Sequence, residues 1–236
     1  MDIPTAIETA AVADAEAARV RLWQLISPAL PVGAYAYSQG LEQAAAAGWV
    51  HDERSATDWI RGHLHHGPAV ADVPVLARCH DAWVRADPAR ARYWSQVLLA
   101  TRGAAELLAE DRQLGTALAR VLTTLGVDEA AEWLADRDAS FACLFALAAA
   151  RWNLGVAEAA TGHLWAWLEN QVSAAVKLVP LGQSAGQRIA FAIGQELGAA
   201  VRRGLALPDD AIGASTPGVA VAAARHETQY TRLFRS

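Results

Sequence analysis

Residues 139–152, ASFACLFALAAARW, decide how the rest of this 236-residue chain is read. Between Ser140 and Arg151 every residue is apolar, and neither glycine nor proline interrupts the run. A helix that is hydrophobic on all sides has no face to offer water, so other elements must cover it all round. The uninterrupted stretch Phe141–Ala150 stops at Arg151, well short of the roughly 18–20 residues that cross a bilayer. The spacing therefore predicts a helix at the centre of a globular domain.

Working outward, the neighbouring segments are helical as well. Ala104–Leu125 carries Leu107, Leu108, Leu114, Leu118, Val121, Leu122 and Leu125 as an apolar stripe, with Glu106, Glu110, Asp111 and Arg112 mostly opposite, and Gly126 ends it. Helices are expected over Ala34–Ala47 with Gly48 as C-cap, from Asp52 or Ser55 to Gly67-Pro68, and over Ala69–Arg85 with a kink at Pro74. Pro88 opens another to about Thr101. A short piece follows at Asp128–Leu134, then long helices at Gly155–Leu178 and, from Pro180 as first residue, Leu181–Gly204. Asp209–Ile212 is short, Val219–Thr228 is the last helix, and Gln229–Ser236 reads as a free end. Residues 1–11 are expected to be disordered, with an Ala-rich helix following to Ile26. No stretch alternates as a strand does, and no repeat or linker divides the chain. The expectation is an all-α single domain, 1–236, a bundle of roughly eight to ten helices around Phe141–Ala150.

Composition narrows the function. A formal net charge of −5 lacks the basic face that nucleic acid requires. Nine tryptophans serve a core or an interface, since tryptophan is enriched in both. Cys79 and Cys143 are far apart and in no CxxC, which fits structural thiols in a reduced cytoplasmic protein. The start of the chain, with Asp2, Glu8, Asp14 and Glu16, lacks the order of a secretory signal.

Catalytic signatures are missing. Gly182-Gln183-Ser184-Ala185-Gly186 has no lysine to follow it, so it suits close helix packing or a partner surface better than a phosphate cradle. Ser38 and Ser184 stand in no nucleophile elbow. His63 and His66 share a helix face and are the best metal candidates, with His65 turned away; the alternative is surface histidines near a helix end. Glu106, Glu110 and Asp111 form either a cation-binding cluster or a solvated helix face. Lys177 is the lone charge in an apolar run and either snorkels to water or makes a specific contact. The tail Tyr230-Thr231-Arg232-Leu233-Phe234-Arg235 has the residue types of a binding hot spot and is expected to enter a partner groove or pack on its own body.

The segment Ser27–Glu42, SPALPVGAYAYSQGLE, begins with a rigid elbow, because Pro28 and Pro31 fix φ and exclude helix through Val32. This segment, together with Val176–Arg188 (VKLVPLGQSAGQR) and His226–Ser236 (HETQYTRLFRS), resembles the UreF family of urease accessory proteins in order and spacing. The family often shows Phe-Ser-His or Phe-Ser-Tyr where Tyr35-Ala36-Tyr37 stands here. The resemblance implies an all-helical, non-catalytic scaffold and regulator without cofactor. It implies partners UreD (UreH), the GTPase UreG and apo-urease, a homodimer, and a role in nickel delivery. It further implies recognition surfaces at Gly33, Tyr37, Ser38 and Glu42, at Lys177, Gln183 and Gln187, and at Tyr230, Arg232, Leu233, Phe234 and Arg235, the tail docking on UreD. Two other readings stay open: an activator of UreG with Arg188 or Arg232 as arginine finger, and a nickel carrier using His63, His65 and His66.

Overall fold

A computed structural model describes residues 6–213 and 215–236, with side chains from residue 14 onward. The described residues form eleven α-helices, three short 3-10 turns and no strand. The helices are α1 (Ala6–Ile26), α2 (Leu41–Ala46), α3 (Glu53–His66), α4 (Asp72–Val84), α5 (Pro88–Ala100), α6 (Ala105–Thr124), α7 (Phe141–Arg151), α8 (Val156–Leu178), α9 (Gln183–Gly194), α10 (Leu197–Leu205) and α11 (Pro217–His226). Residues 1–5 of the start expected to be disordered lie outside the described residues, and Ala6–Ala11 are helical.

Helix α7 is the centre. Eight consecutive residues, Ala142–Ala149, are buried, and α4, α5, α6 and α8 pack around it. Trp83 of α4 donates its indole N–H to Cys143 O at 3.3 Å and stacks edge-on with Trp133 at 6.0 Å. Close approach of α6 depends on Gly115, where a Cβ would stand 2.1 Å from Ala139 O. The tryptophans divide: Trp83, Trp94 and Trp133 are buried, whereas Trp23 and Trp49 are exposed. No helix among the described residues is long and apolar enough to cross a membrane.

Several element boundaries differ from expectation for local reasons. The helix expected over Ala34–Ala47 is split: Tyr37 is extended and Gln39 and Gly40 take φ of +54° and +80°, so only a 3-10 turn at Ala34–Ala36 and α2 remain. Pro74 does not kink α4, because the helix starts at Asp72 and the proline falls in its first turn, where no intrahelical N–H bond is lost. The single helix expected over Leu181–Gly204 becomes α9 and α10, and Gly182 rather than Pro180 precedes it. Asp52 caps α3 by accepting from Ser55 N at 2.8 Å, with Ser55 Oγ reciprocating. Asp87 caps α5 ahead of Pro88.

Candidate functional site: the latched C-terminal segment

The segment after α11 is not a free end. It runs back over α2 and α6 and is held by three glutamates, Glu42 and Glu110 buried and Glu106 half-buried. Glu42 of α2 accepts the backbone N–H groups of Leu233 at 2.6 Å and Phe234 at 2.8 Å. The His226 ring lies between Glu42 Oε2 at 3.1 Å and Glu106 Oε2 at 2.7 Å. Arg232 reaches the other oxygen of Glu106 at 2.8 Å. At the far end Ser236 O accepts from Ser38 N at 2.8 Å and from Ser38 Oγ at 2.5 Å. Ser236 Oγ donates to Glu110 Oε2 at 2.7 Å, and Gln39 Nε2 donates to Glu110 Oε1 at 2.7 Å. Arg235 N donates to Ala36 O. Lys177 of α8 stands 5.5 Å from the Phe234 ring centroid, a cation–π contact.

The local chain makes this possible. Gly40 brings α2 against α11: a Cβ there would stand 3.0 Å from Ala223 N, and its φ of +80° suits only glycine. The left-handed Gln39-Gly40 pair turns Ser38 inward and aims the start of α2, with Glu42 in its first turn, at the tail. Trp167 Nε1 holds Gln39 Oε1 at 2.8 Å, and Asn170 Nδ2 holds Tyr37 O at 3.0 Å.

A second polar cluster lies beneath the elbow. Arg102 bridges Asp72 of α4, at 2.7 Å, and Asp111 of α6, at 2.8 Å. The second oxygen of Asp111 accepts from Phe141 N at 2.7 Å and so fixes the start of α7. Burial pushes the Asp72 carboxyl up, but the Arg102 guanidinium, with His163, outweighs it and holds the group well below the usual carboxylate range. Burial pushes Glu110 up to about 7 despite the hydrogen bonds from Gln39 and Ser236. It pushes the His63 imidazole down to about 4. These groups line a cavity of about 220 Å³ shared by the elbow, α6 and α8, with Lys177 and Glu169 among its lining residues.

The sequence-predicted residues separate into an inner and an outer set. Tyr37, Ser38, Glu42 and Phe234 are buried. Gly33, with φ +81°, opens the 3-10 turn at Ala34–Ala36. Lys177 makes a specific contact, with Phe234. Gln183 and Gln187 are exposed on α9, and Tyr230, Arg232, Leu233 and Arg235 are exposed on the tail. Of these, Tyr230 is 103% and Leu233 66% exposed. Gly186 permits close packing, since a Cβ there would stand 2.8 Å from Val176 Cγ2. Arg188 is paired with Glu53 at 2.7 Å.

Two readings are corrected. His63 is buried against Trp167 while His66 is exposed, so they face different surroundings and do not share an ion. His65 pairs instead with Glu196 at 2.7 Å. Among the described residues no group of three or more His, Cys, Asp or Glu is placed to hold a metal. Glu110 and Asp111 are not a solvated face: they are 3% and 4% exposed, Glu110 bound to Ser236 and Asp111 to Arg102. Sequence reasoning missed Asp72, Arg102, Gln39, His163 and His226 as members of these clusters. The one available signal was the density of charges on α6 just before an apolar stripe.

Fold and site together define an all-α protein whose C-terminal segment is latched to its own body. A model of the UreF family matches residues 50–194. "Urease accessory protein UreF" of Alkalilimnicola ehrlichii is 54% identical over 219 residues, which cover 93% of this chain and 96% of that protein. The protein of the same name from Pseudomonas putida GB-1 is 46% identical over 223 residues, 94% of this chain and all of that one. That from Chromohalobacter salexigens is 45% identical over 215 residues, 91% and 93% of the two chains. The chain belongs to the UreF family.

Proposed function

We propose that this chain is a urease accessory protein of the non-catalytic kind, a homodimeric scaffold in the cytoplasm. It joins UreD (UreH) and the GTPase UreG in the complex that delivers nickel to apo-urease. Family membership supports the urease role. The observation that carries the scaffold reading is the two-sided tail. Phe234 and Ser236 anchor it inward, which leaves Tyr230 and Leu233 facing solvent in a fixed conformation. An anchored segment loses less conformational freedom on binding than a mobile one, so its exposed aromatic and leucine suit a docking role for UreD. Two free, buried thiols, Cys79 and Cys143, fit a reducing compartment.

Co-purification with UreD and UreG tests this. Wild-type chain should form the ternary complex. A Tyr230→Ala, Leu233→Asp double variant should lose UreD while melting as wild type does. Absence of both partners from the wild-type preparation would sink the scaffold reading; undiminished UreD binding by the double variant would remove the tail from it.

A further inference from the structure

A shallow depression of about 490 Å³ lies between the elbow, α6 and the segment that leads into α7. Four arginines line it: Arg112 and Arg120 of α6, Arg137, and Arg235 of the latched tail. In a chain of net charge −5 this is a local reversal of sign. The only acid among the described lining residues, Asp136, is engaged by Arg92 and also accepts from Asp138 N at 2.8 Å. Arg112 is steadied by donating from Nε to Arg137 O at 2.7 Å, and the Arg235 guanidinium stands beside Gln113 at 3.5 Å. Among the described residues, none of the four arginines has a carboxylate partner in an ion pair. Tyr35, 70% exposed, forms part of the same lining.

We infer that this depression is a docking site for an acidic, extended segment of a partner protein. The spacing argues for a segment over a single anion. Arg112, Thr116 and Arg120 recur every fourth residue along one face of α6. The outer two are separated by about 12 Å along the axis, at ~1.5 Å per residue. A segment meets both without drawing the two long side chains together. An extended peptide advances ~6.6 Å per pair of residues, so acids at alternate positions meet the ladder in about two steps. Planar guanidiniums take carboxylates in pairs of parallel hydrogen bonds, and the exposed Tyr35 ring adds an apolar rim. A basic area confined to one depression is also too short for a nucleic-acid backbone. Because Arg235 reaches the depression only when the tail is latched, the site is complete only in the latched chain.

The site is read without UreD or UreG, so its failure and the failure of the scaffold reading are separate events. A fluorescein-labelled hexaglutamate peptide is titrated into the full chain at low and at raised salt, followed by anisotropy. The expected result is saturable binding that weakens with salt. Arg120→Gln with Arg137→Gln should lower affinity about tenfold or more, with an unchanged melt. Arg54→Gln with Arg202→Gln, exposed arginines elsewhere, should stay within about twofold of wild type. No binding by the wild-type chain, or equal loss in the two double variants, would overturn the inference. So would displacement of the peptide by inorganic phosphate or GTP at lower concentration than free hexaglutamate requires, since the depression would then select phosphate.

Discussion

The centre around α7 and the latch around Glu42 are both buried, yet they are built from opposite materials. Around α7 most contacts are apolar and unspecific in chemistry: Phe145, Leu144, Leu147, Trp83 and Trp133 fill space, and directed bonds such as Trp83 to Cys143 O are the exception. Around Glu42 nearly every contact is a directed hydrogen bond between groups that would be costly to bury alone. A core of the first kind tolerates exchange of one apolar residue for another of similar volume. A latch of the second kind depends on each partner, because losing one orphans the others.

Breaking the centre should have the largest effect. Phe145→Ala opens a cavity at a fully buried position, and thermal or urea unfolding should show a loss of about 4 kcal/mol across the whole domain. Breaking the latch should cost less and act locally. Glu42→Ala leaves the Leu233 and Phe234 N–H groups and one face of His226 unpaired, for a loss of about 3 kcal/mol. Limited proteolysis should then cut within Tyr230–Arg235 while the helical body stays protected. If cutting spreads at once to α7, latch and centre are one cooperative unit and the contrast fails.

The same contrast explains what could be read from the sequence. An apolar helix announces its burial in its own residues, so α7 and the helices around it were legible from periodicity. The latch was not. Glu110 and Asp111 read as a charged helix face because their partners, Ser236 and Arg102, lie 126 and 9 residues away and the first of these is beyond any local pattern. His226 carries no local signal for the same reason, its two carboxylates being 120 and 184 residues distant. The elbow was legible because proline and glycine act on their own backbone. What they could not tell was that Gln39 would adopt a positive φ and cut the following helix short, since that turn is stabilised from α8 by Trp167. The family resemblance marked the elbow and the tail as important segments; it did not say that they touch.

A pH series sharpens the comparison further. Glu110 titrates near 7 in the folded chain, above its unfolded value, so the folded chain retains a proton there over the interval that separates the two. Its contribution is therefore complete below about pH 4.5 and is lost as pH rises through about 7. Melting temperatures of Glu110→Gln should gain on wild type as pH rises through that window, whereas Phe145→Ala should lie below wild type by an amount that does not change with pH. Parallel curves for Glu110→Gln and wild type would remove Glu110 from the latch's response to pH. The smallest expected effect is at the tail's outer clasp. Lys177→Ala removes the contact with the Phe234 ring at 5.5 Å and should cost about 0.5–1 kcal/mol, seen as faster proteolysis of the tail with little change in the melt.

The two halves of the latch are far apart along the chain: Glu42 and Leu233 are separated by 191 residues, Ser38 and Ser236 by 198. Closing so long a loop adds little entropy cost over a shorter one. Time is the greater constraint. At a synthesis rate of ~5–20 residues per second, the first half emerges on the order of 10–40 s before the second. For that interval Ser38 and Glu42 have no tail segment to cover them, and a nascent chain stopped short of Leu233 never acquires one. Any factor that attends the growing chain therefore meets a different surface at this seam from the one the folded chain presents.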